Sequence, residues 1–474
     1  MNAGTFGADR DIFGAAREFR AIASDFVKAH GVAGASLGIV AAGELVWSAG
    51  LGLADRATGR PADERTVYRI ASITKTFTAT AIVQLRDAGG LRLDDPLVEH
   101  VPEAHAIRNR FGPVSDITIR RLLDHTSGLQ GEPPNRQPLA YSHYTIKELL
   151  AVLGDVIVAI APGSAHKYSN LGYELLGEVI RRVAGRPYRD YVREAITEPL
   201  GMCSTTHEPQ GALLDRLAVG YNEARYSDDL GPAQLPPPGS MEADGGLYSS
   251  VEDLARWVAQ QCRTDATLER GEQQVLAGCS LREMQRPTVV IDPAWLEAQG
   301  LGWYGTRRSD RVLIGHSGAL DGFRSNVSFL PDEGLGAIVL VNGIAPATEL
   351  AIRLIEAALP LHRAEQAAAR TFPAPPAVPA AWAELLGRYV DPALGDGATV
   401  EWRAGRLLVP DEGARGPHWL EPADDPLTFT IQGGRLAGEA VRFLRGTSGA
   451  VERLLAAGYP MIRMMPAGGR PARE

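Results

Sequence analysis

Apolar residues recur along the chain with helical spacing in some stretches and as short continuous runs in others. Near the N-terminus, a stripe from Phe13 to Phe26 predicts an amphipathic helix over residues 10–30. Two apolar runs meeting at Ala42-Gly43 predict a strand pair between Ala33 and Leu53. The same patterns predict helices at Ile117–Asp124, Ile146–Leu153, Leu171–Ala184, Tyr188–Thr197 and Val251–Gln261, strands near Trp303 and at Val312–Ile314, Phe323–Leu330 and Leu335–Val341, and a closing helix at Thr348–Leu359. Strands at both ends with helices between them indicate an α+β layer fold whose first and last segments share one sheet.

The pattern changes at a proline-rich stretch, residues 371–381, which is typical of a semi-rigid spacer. Beyond it, short apolar runs are separated by Gly, Pro and Asp, at Tyr389-Val390, Thr399–Trp402, Leu407–Val409, Leu427–Ile431, Val441–Leu444 and Arg453–Leu455. Several short strands with close turns favour a small barrel or sandwich. We therefore predict a first domain over residues 1–370, a linker over 371–381 and a small β-barrel-like domain over 382–474.

Composition limits the function classes. The chain has 474 residues, 45% of them hydrophobic, with a net charge of −9 that argues against nonspecific nucleic-acid binding. No stretch approaches the ~20 apolar residues of a membrane span, and no apolar leader region is visible near the N-terminus. We expect no nucleic-acid partner, no membrane association and a cytoplasmic location. Cys203, Cys262 and Cys279 are widely spaced and predict neither a disulfide framework nor a metal site.

The candidate chemistry begins at Ser72 and Lys75. Only four of the 48 basic residues are lysines, and Lys75 is one of them. Apolar residues recur every four positions from Ile73 to Leu85, which predicts a helix with Ser72 and Lys75 on one face. Lysine, unlike arginine, can be tuned toward neutrality, so a serine beside it is a candidate activated nucleophile. The alternative is an N-cap serine and a surface lysine, although a cation in the first turn opposes the helix dipole.

Two other serines match short patterns without the structural context that those patterns require. Ser164 and Lys167 repeat the Ser-x-x-Lys spacing, but they follow Pro162-Gly163 and are predicted to lie in a loop. Ser36 matches the G-x-S-x-G nucleophile elbow, which needs a strand, a sharp turn and a helix. Further strand and a hairpin turn follow Ser36 instead, so we predict that it is buried in a strand and dispensable for turnover.

A hydrolase also needs groups that move protons and stabilise an oxyanion. Two segments supply candidates: Tyr168-Ser169-Asn170 before a predicted helix, and His316-Ser317-Gly318-Ala319 at a strand. Each of these residues also has a structural interpretation when it is taken alone. Tyr168 would be a half-buried ring, and Asn170 would be the N-cap of a helix that starts at Leu171. His316 would be a strand residue packed at a sheet edge.

The remaining histidines do not alter this interpretation. His125, His143 and His166 have no spacing to Asp, Glu or Cys residues that suggests a metal site, and we interpret them as structural. No metal and no cofactor is predicted.

Taken together, the three motifs resemble those of a known family. Ser72-x-x-Lys75, Tyr168-x-Asn170 and His316-x-Gly318, in this order, are similar to the motifs of the serine β-lactamase and penicillin-binding-protein superfamily. The resemblance covers about residues 15–360 and is strongest to class C β-lactamase-related esterases and D-amino-acid peptidases. His125–Leu129 and Gly245–Ser250 also look like that family. The resemblance implies an antiparallel sheet flanked by helices together with an all-helical subdomain.

The resemblance also implies roles for the candidate residues. Ser72 would attack a carbonyl and form an acyl-enzyme, while Lys75 and Tyr168 would move its proton, with the identity of the base left open. Asn170 would position Lys75 and the substrate, and the backbone N–H groups of Ser72 and Ala319 would form the oxyanion hole. His316 and Gly318 would take part in substrate binding.

Residue 316 departs from the Lys-Thr-Gly motif of lactamases and transpeptidases. The lysine of that motif helps to anchor a substrate carboxylate. Histidine, with an unperturbed pKa of about 6.5, is largely neutral at pH 7, so a site with histidine at this position should bind free carboxylates less well than a site with lysine. We therefore predict hydrolysis of small esters, amides or peptides, as in the esterases and D-aminopeptidases of the family. The alternatives are a β-lactamase or D,D-carboxypeptidase, and a non-catalytic penicillin-binding-like sensor or scaffold.

Two regions carry weaker expectations. Relatives with a C-terminal barrel use it to build oligomers or to narrow the active-site mouth, so residues 382–474 are expected to restrict substrate size or to mediate homo-oligomer formation. The loop over residues 130–145 is expected to border the cleft, with Tyr141 and Tyr144 as walls.

Overall fold

The computed structural model of the protein describes residues 14–464, apart from 135–142, 224–229, 234–236, 264–274, 370–376, 404, 411–416, 434 and 457. The chain divides into two compact units, Met1–Ala367 and Ala368–Glu474. Most of the predicted linker lies outside the described residues, so its character as a spacer stays a prediction. Within the described part of the chain, no helix has both the length and the apolarity that crossing a bilayer requires.

The first unit combines helices and strands. Its strands are β1 (Gly34–Ala41), β2 (Glu44–Asp55), β3 (Arg60–Pro61), β4 (Tyr68–Arg69), β5 (Tyr221–Glu223), β6 (Leu230–Pro232), β7 (Tyr248–Ser249), β8 (Val289–Val290), β9 (Glu297–Gln299), β10 (Tyr304–Arg308), β11 (Arg311–Leu320), β12 (Phe323–Leu330) and β13 (Leu335–Val341). Its helices are α1 (Ala16–His30), α2 (Thr74–Asp87), α3 (Leu97–His100), α4 (Ile119–Leu123), α5 (Ile146–Ala151), α6 (Asn170–Ala184), α7 (Tyr188–Val192), α8 (Glu242–Gly245), α9 (Val251–Gln261), α10 (Gly278–Gln285) and α11 (Ala347–Ala369).

Nine of these strands form one antiparallel sheet in the order β3-β2-β1-β13-β12-β11-β10-β9-β8. The first and last segments of the unit meet at its centre, where Gly38 of β1 pairs with Ile338 of β13. Strand β13 is apolar throughout and buried at every position, because both faces of the sheet are covered. Its residues alternate between two cores: Ile338 packs with the α9 side, whereas Val339 packs with α1 and α11.

Helix α2 runs through the interior of the unit. Eleven of its 14 residues are buried, so it is enclosed on nearly all sides, although the sequence predicts a helix with one apolar stripe. Its buried threonines are tolerated because their hydroxyls bond to backbone carbonyls, as Thr76 does to Ile73 at 2.8 Å and Thr78 to Ala243 at 2.6 Å. The same enclosure buries the charge of Lys75.

The second unit is a closed antiparallel barrel preceded by a short helix. Helix α12 (Ala380–Ala383) leads into β14 (Gly387–Val390), β15 (Gly397–Arg403), β16 (Arg406–Val409), β17 (His418–Pro422), β18 (Thr428–Gln432), β19 (Ala440–Arg445), β20 (Val451–Ala456) and β21 (Tyr459–Arg463). Alternate residues point inward, so that Tyr389, Leu407, Phe429 and Phe443 fill the interior.

The predicted α+β fold with a small C-terminal barrel is therefore confirmed. The boundaries of some elements differ from those predicted. The closing helix α11 extends to Ala369, α6 begins at Asn170 after an N-cap at Ser169, and the predicted helix ending at Thr197 becomes π-helical from Arg193. Strands β3 to β9, β17 and β21 and the helices α3, α8, α10 and α12 were not predicted from the sequence.

Candidate active site

Ser72 lies in a tight turn at the entrance to α2. The turn is a short 3₁₀ segment, Ala71–Ile73, in which Ser72 is partly exposed between two buried neighbours. Ala71 has a φ of 47°, a left-handed conformation that alanine adopts only at a free-energy cost. Strained backbone of this kind is common next to reacting groups, since the surrounding structure must hold it in place.

Lys75 is fully buried and joins two parts of the chain. Its Nζ donates a hydrogen bond to Ser72 Oγ at 3.2 Å and another to the backbone oxygen of Asp244 at 2.7 Å. The Asp244 carboxylate lies 3.5 Å from the same nitrogen. The side chains that the Ser-x-x-Lys spacing predicts to be neighbours are therefore in contact.

The surroundings of Lys75 keep it charged. Burial alone would lower the pKa of Lys75, but the neighbouring Tyr168 and the Asp244 carboxylate outweigh burial, and the pKa is raised. The ammonium also lies 5.1 Å from the centre of the Tyr168 ring and 5.6 Å from that of Tyr173, within range of cation–π attraction. Lys75 is thus an ammonium at neutral pH in the resting protein, rather than a free amine.

The ring of Tyr168 packs against a buried histidine. It lies 4.3 Å from the ring of His125, centre to centre, and the ring of His166 lies 5.7 Å from that of His125. Burial lowers the pKa of both histidines, so both are neutral at pH 7. The sequence analysis interpreted these two histidines as structural and did not predict that the ring of His125 contacts Tyr168.

Asn170 follows Tyr168 at the start of α6. Its Nδ2 donates to the Glu132 carboxylate at 2.5 Å, and its backbone N–H donates to the Gly131 carbonyl at 2.8 Å. Ser169, not Asn170, is the N-cap of the helix, since its Oγ accepts from Gly172 N–H at 3.0 Å. The Asn170 Oδ1 is buried and has no hydrogen-bond partner within the described part of the chain.

Strands β11 and β12 bring the third motif against the Ser72 turn. Ser325 Oγ donates to the Ile70 carbonyl at 2.8 Å, two residues before Ser72. At Gly318, a Cβ would come within 2.2 Å of that same carbonyl oxygen, so glycine is required for the approach. Ala319 is the next residue and is exposed.

His316 is a buried, neutral residue of β11. Burial, aided by the charge of Lys75, lowers its pKa to about 3. Its Nδ1 lies 2.7 Å from the Ser317 carbonyl and must donate to it, because a carbonyl only accepts. Nε2 is then an acceptor, buried and without a partner among the described residues, and the Tyr304 ring lies 5.2 Å away.

The other serines behave as the sequence context indicates. Ser36 is fully buried in β1, where its Oγ bonds to the Asp63 carbonyl at 2.6 Å and the Tyr68 hydroxyl at 2.8 Å. Ser164 is exposed, and its Oγ donates to the Ala161 carbonyl at 2.6 Å. Of the two tyrosines expected to wall the cleft, Tyr141 lies outside the described residues, and the Tyr144 hydroxyl donates to the Pro134 carbonyl at 2.8 Å.

A partly exposed serine touching a buried lysine, at a helix start backed by a sheet strand, defines a class of protein. It is an arrangement typical of serine hydrolases, in which a serine lies beside a group that can exchange a proton with it.

Comparison with known proteins identifies the family. The model of the Beta-lactamase family matches residues 19–360, and this chain belongs to that family. It is 32% identical over 286 residues to D-alanyl-D-alanine-carboxypeptidase/endopeptidase AmpH of Escherichia coli strain K12, spanning 58% of this chain and 70% of that protein.

Two solved structures extend the comparison. The D-stereospecific amidohydrolase from Streptomyces sp. is 28% identical with a TM-score of 0.60, covering 71% of this chain and 98% of that one. The octameric penicillin-binding protein homologue from Pyrococcus abyssi has the same fold, with a TM-score of 0.62 at 24% identity, covering 94% of this chain and 99% of that one. The superfamily predicted from the three motifs is confirmed, and the protein is a serine hydrolase.

Proposed function

We propose that the protein hydrolyses small esters or amides through an acyl-enzyme on Ser72. The observation that carries this proposal is the 3.2 Å contact between Ser72 Oγ and the buried Lys75 ammonium. Burying a charge costs free energy unless the charge is paired or hydrogen-bonded. Here the Lys75 ammonium lies against the Ser72 hydroxyl, which must lose its proton when it attacks.

The proton moves through Tyr168 in this proposal. Because the pKa of Lys75 is raised and Lys75 retains its own proton, it is not the base in this proposal. In the reactive form of the site, its ammonium pairs with the deprotonated oxygen of Tyr168. The phenolate takes the proton from Ser72 Oγ as that oxygen attacks the carbonyl carbon, and the resulting phenol then donates it to the leaving alcohol or amine. In the second half-reaction Tyr168 removes a proton from water, which attacks the acyl-enzyme and releases the acid and Ser72.

The oxyanion is assigned to two backbone N–H groups, those of Ser72 and Ala319. Support comes from the packing of β11 and β12 on the Ser72 turn, through the Ser325 bond to Ile70 and the close approach at Gly318. The carbonyl oxygen of the substrate would lie between the turn and the strand.

The charges near the site favour a particular kind of substrate. His316 is neutral and offers a free carboxylate no ionic partner, whereas the Glu132 carboxylate lies beside Asn170 and attracts cations. Asn170 Oδ1 remains available for a substrate N–H. We infer that acyl groups bearing an amine, as in D-aminoacyl amides and esters, are preferred; the similarity to the Streptomyces D-stereospecific amidohydrolase supports this inference.

A second candidate is D,D-carboxypeptidase activity, which the similarity to AmpH favours. The two candidates differ in where the substrate carries its charge. A D,D-carboxypeptidase must bind a C-terminal carboxylate, whereas the proposed activity needs none.

A substrate panel separates the candidates. Wild-type protein and S72A are assayed with p-nitrophenyl acyl esters, D- and L-aminoacyl p-nitroanilides, a peptide ending in D-Ala-D-Ala, and nitrocefin. We expect turnover of esters and D-aminoacyl anilides that S72A abolishes. Faster cleavage of the D-Ala-D-Ala peptide or of nitrocefin would reject the preference, and equal rates for S72A would reject the acyl-enzyme itself.

Covalent labelling tests the nucleophile independently of substrate choice. A fluorophosphonate probe should label wild-type protein at Ser72 and leave S72A unlabelled. S164A should label like wild type, because Ser164 has the same spacing to a lysine but lies exposed in a loop. Folded wild-type protein that stays unlabelled and inert toward the panel would favour the sensor or scaffold alternative.

The role of residues 382–474 remains a proposal of its own. We propose that the barrel restricts substrate size or mediates self-association, as the octameric Pyrococcus homologue suggests for a chain of similar extent. A protein truncated before the barrel should keep Ser72 labelling but change in oligomeric state or in the largest acyl group accepted. An unchanged mass in light scattering together with an unchanged substrate range would reject this role.

The cytoplasmic location of the protein likewise stays a prediction, which cell fractionation checks.

A further inference from the structure

One buried polar side chain at the site has no part in the mechanism above. His125 is 1% exposed, and its ring lies 4.3 Å from that of Tyr168 and 5.1 Å from that of Tyr173. It follows the last turn of α4 and is far from Tyr168 in sequence. Its position is therefore set by the fold rather than by the Tyr168 motif.

Two bonds join His125 to the segment that carries Tyr168. The His125 carbonyl accepts from Lys167 N–H at 2.7 Å, and its ring Nδ1 accepts from Ser169 N–H at 3.2 Å. These donors are the residues on either side of Tyr168. Tyr168 is thus held between two anchors supplied by one histidine, with the histidine ring against its own ring.

The ring bond fixes the tautomer of His125. A backbone N–H can only donate, so Nδ1 carries a lone pair and the neutral ring has its proton on Nε2. Nε2 is buried without a hydrogen-bond partner among the described residues. A histidine kept only for packing has no reason to leave a buried donor unsatisfied. No group of three or more metal-ligating side chains occurs in the described part of the chain, so metal binding does not explain it.

The backbone at His125 is also unusual. Its φ is 57°, a left-handed conformation that glycine adopts freely and in which asparagine, aspartate and histidine are enriched among the other residues. Glycine and asparagine can therefore replace histidine here without adding backbone strain.

We propose that His125 is a positioning residue for Tyr168: its neutral Nε2–H ring holds the Tyr168 backbone and phenol in the orientation that proton transfer from Ser72 requires. The proposal rests on the proposed role of Tyr168 as the proton carrier. His125 contacts neither the Ser72 hydroxyl nor the reacting carbonyl in this assignment, so it acts through Tyr168 alone.

The backbone conformation supplies well-matched variants. H125G removes the ring while relieving the left-handed strain, so its fold should persist. H125N also suits the backbone, and its Oδ1 lies near the position of Nδ1, where it can accept from Ser169 N–H. Both are compared with wild type by thermal melting, by steady-state kinetics with a p-nitrophenyl ester, and by the rate of fluorophosphonate labelling.

We expect H125G to lower kcat by about 10- to 100-fold, as small displacements of catalytic groups do, with KM changed by less than about threefold. H125N should recover most of the lost rate and melt near wild type, whereas H125G, which leaves the Ser169 N–H without its acceptor, should melt lower than wild type while staying folded at the assay temperature. A rise in KM at unchanged kcat would overturn the proposal, since it would mean that His125 contacts substrate. An unchanged kcat in H125G would overturn it as well.

A double-mutant cycle with Y168F makes the test specific. In Y168F the phenol oxygen is absent and its orientation no longer affects the rate. H125G should therefore lower kcat by less than about threefold in the Y168F background. An equal loss in both backgrounds would overturn the proposal while leaving the Ser72 acyl-enzyme intact. A Y168F protein as active as wild type would instead reject the role of Tyr168, and the His125 proposal with it.

Discussion

Asp244 holds Lys75 at two points. Its backbone oxygen accepts from Lys75 Nζ at 2.7 Å, and its carboxylate lies 3.5 Å from the same nitrogen, although the two residues are 169 positions apart. Both side chains are almost fully buried, at 0% exposure for Lys75 and 5% for Asp244. The contact fixes the ammonium beside Ser72 and contributes to its raised pKa.

Removing the Asp244 charge should therefore weaken the site without removing its shape. D244N keeps the backbone bond but lowers the pKa of Lys75, so that less ammonium is present to stabilise a Tyr168 phenolate. We expect kcat to fall by about 10- to 100-fold, within the range of general acid–base effects, and the alkaline limb of the kcat/KM profile to move to lower pH. E242Q is the matched control on the same helix, since Glu242 pairs with Arg189 at the surface. Equal losses in D244N and E242Q would show that the effect is only structural.

The sequence predicted the local part of this site and not the long-range part. Ser72 and Lys75 were found because helical spacing places them on one face, and Tyr168 and His316 because their motifs are short and local. Asp244 binds Lys75 through a backbone oxygen, which any residue could supply, and through a carboxylate 169 positions away, so no local motif marks it. His125 was assigned a structural role, because the sequence does not show that its ring meets Tyr168.

Much of the barrel was also predictable, and the misses have physical causes. The six predicted runs correspond to six strands, whereas β17 and β21 were missed. Both contain proline, Pro422 and Pro460, which is depleted in strand interiors and disrupts the expected pattern. Strands β8 and β9 were missed because two or three residues carry no detectable period.

Ser36 provides a test of the rejected nucleophile elbow. S36A removes hydrogen bonds to the Asp63 carbonyl and to the Tyr68 hydroxyl. The carbonyl still accepts from Thr66 N–H, whereas the buried Tyr68 hydroxyl loses its bond to Ser36. We expect a loss of about 1–3 kcal/mol in the free energy of unfolding, with kcat unchanged at temperatures where the variant is folded. Urea denaturation and the ester assay measure the two quantities. Loss of fluorophosphonate labelling in folded S36A would contradict the assignment of Ser72.

Gly318 should tolerate no side chain. In G318A the new Cβ would lie 2.2 Å from both the Ile70 carbonyl oxygen and Ser325 Oγ, so β11 must move away from the Ser72 turn. Because the shift displaces Ala319, we expect a fall in kcat of about 100-fold or more, comparable to losing an oxyanion donor. G305A is the control, since its Cβ would meet the Val312 side chain at 3.3 Å and can be accommodated. Comparable kcat values for G318A and G305A would argue against the proposed oxyanion hole.

Buried neutral histidines should make the fold sensitive to mild acid. The pKa values of His207 and His316 are both lowered to about 3, with burial as the main cause. Unfolded histidine has a pKa of about 6.5, so below this pH the unfolded chain binds protons that the folded chain excludes. The free energy of unfolding therefore falls as pH decreases from 6.5 toward 3, by about 1.4 kcal/mol per pH unit for each histidine.

A variant outside the site isolates one of these contributions. His207 is not one of the candidate site residues, and its Nε2 is 3.2 Å from the Glu242 carbonyl, to which it can donate. H207Q retains a hydrogen-bond donor but has no titrating group at this position. As pH decreases from 6.5 to 5, the free energy of unfolding of H207Q should therefore fall less steeply than that of wild type, with the two slopes differing by about 1.4 kcal/mol per pH unit. Urea denaturation at several pH values in this window measures both slopes. Parallel slopes would mean that His207 gains its proton in the folded protein as readily as in the unfolded chain, contrary to its buried, neutral state.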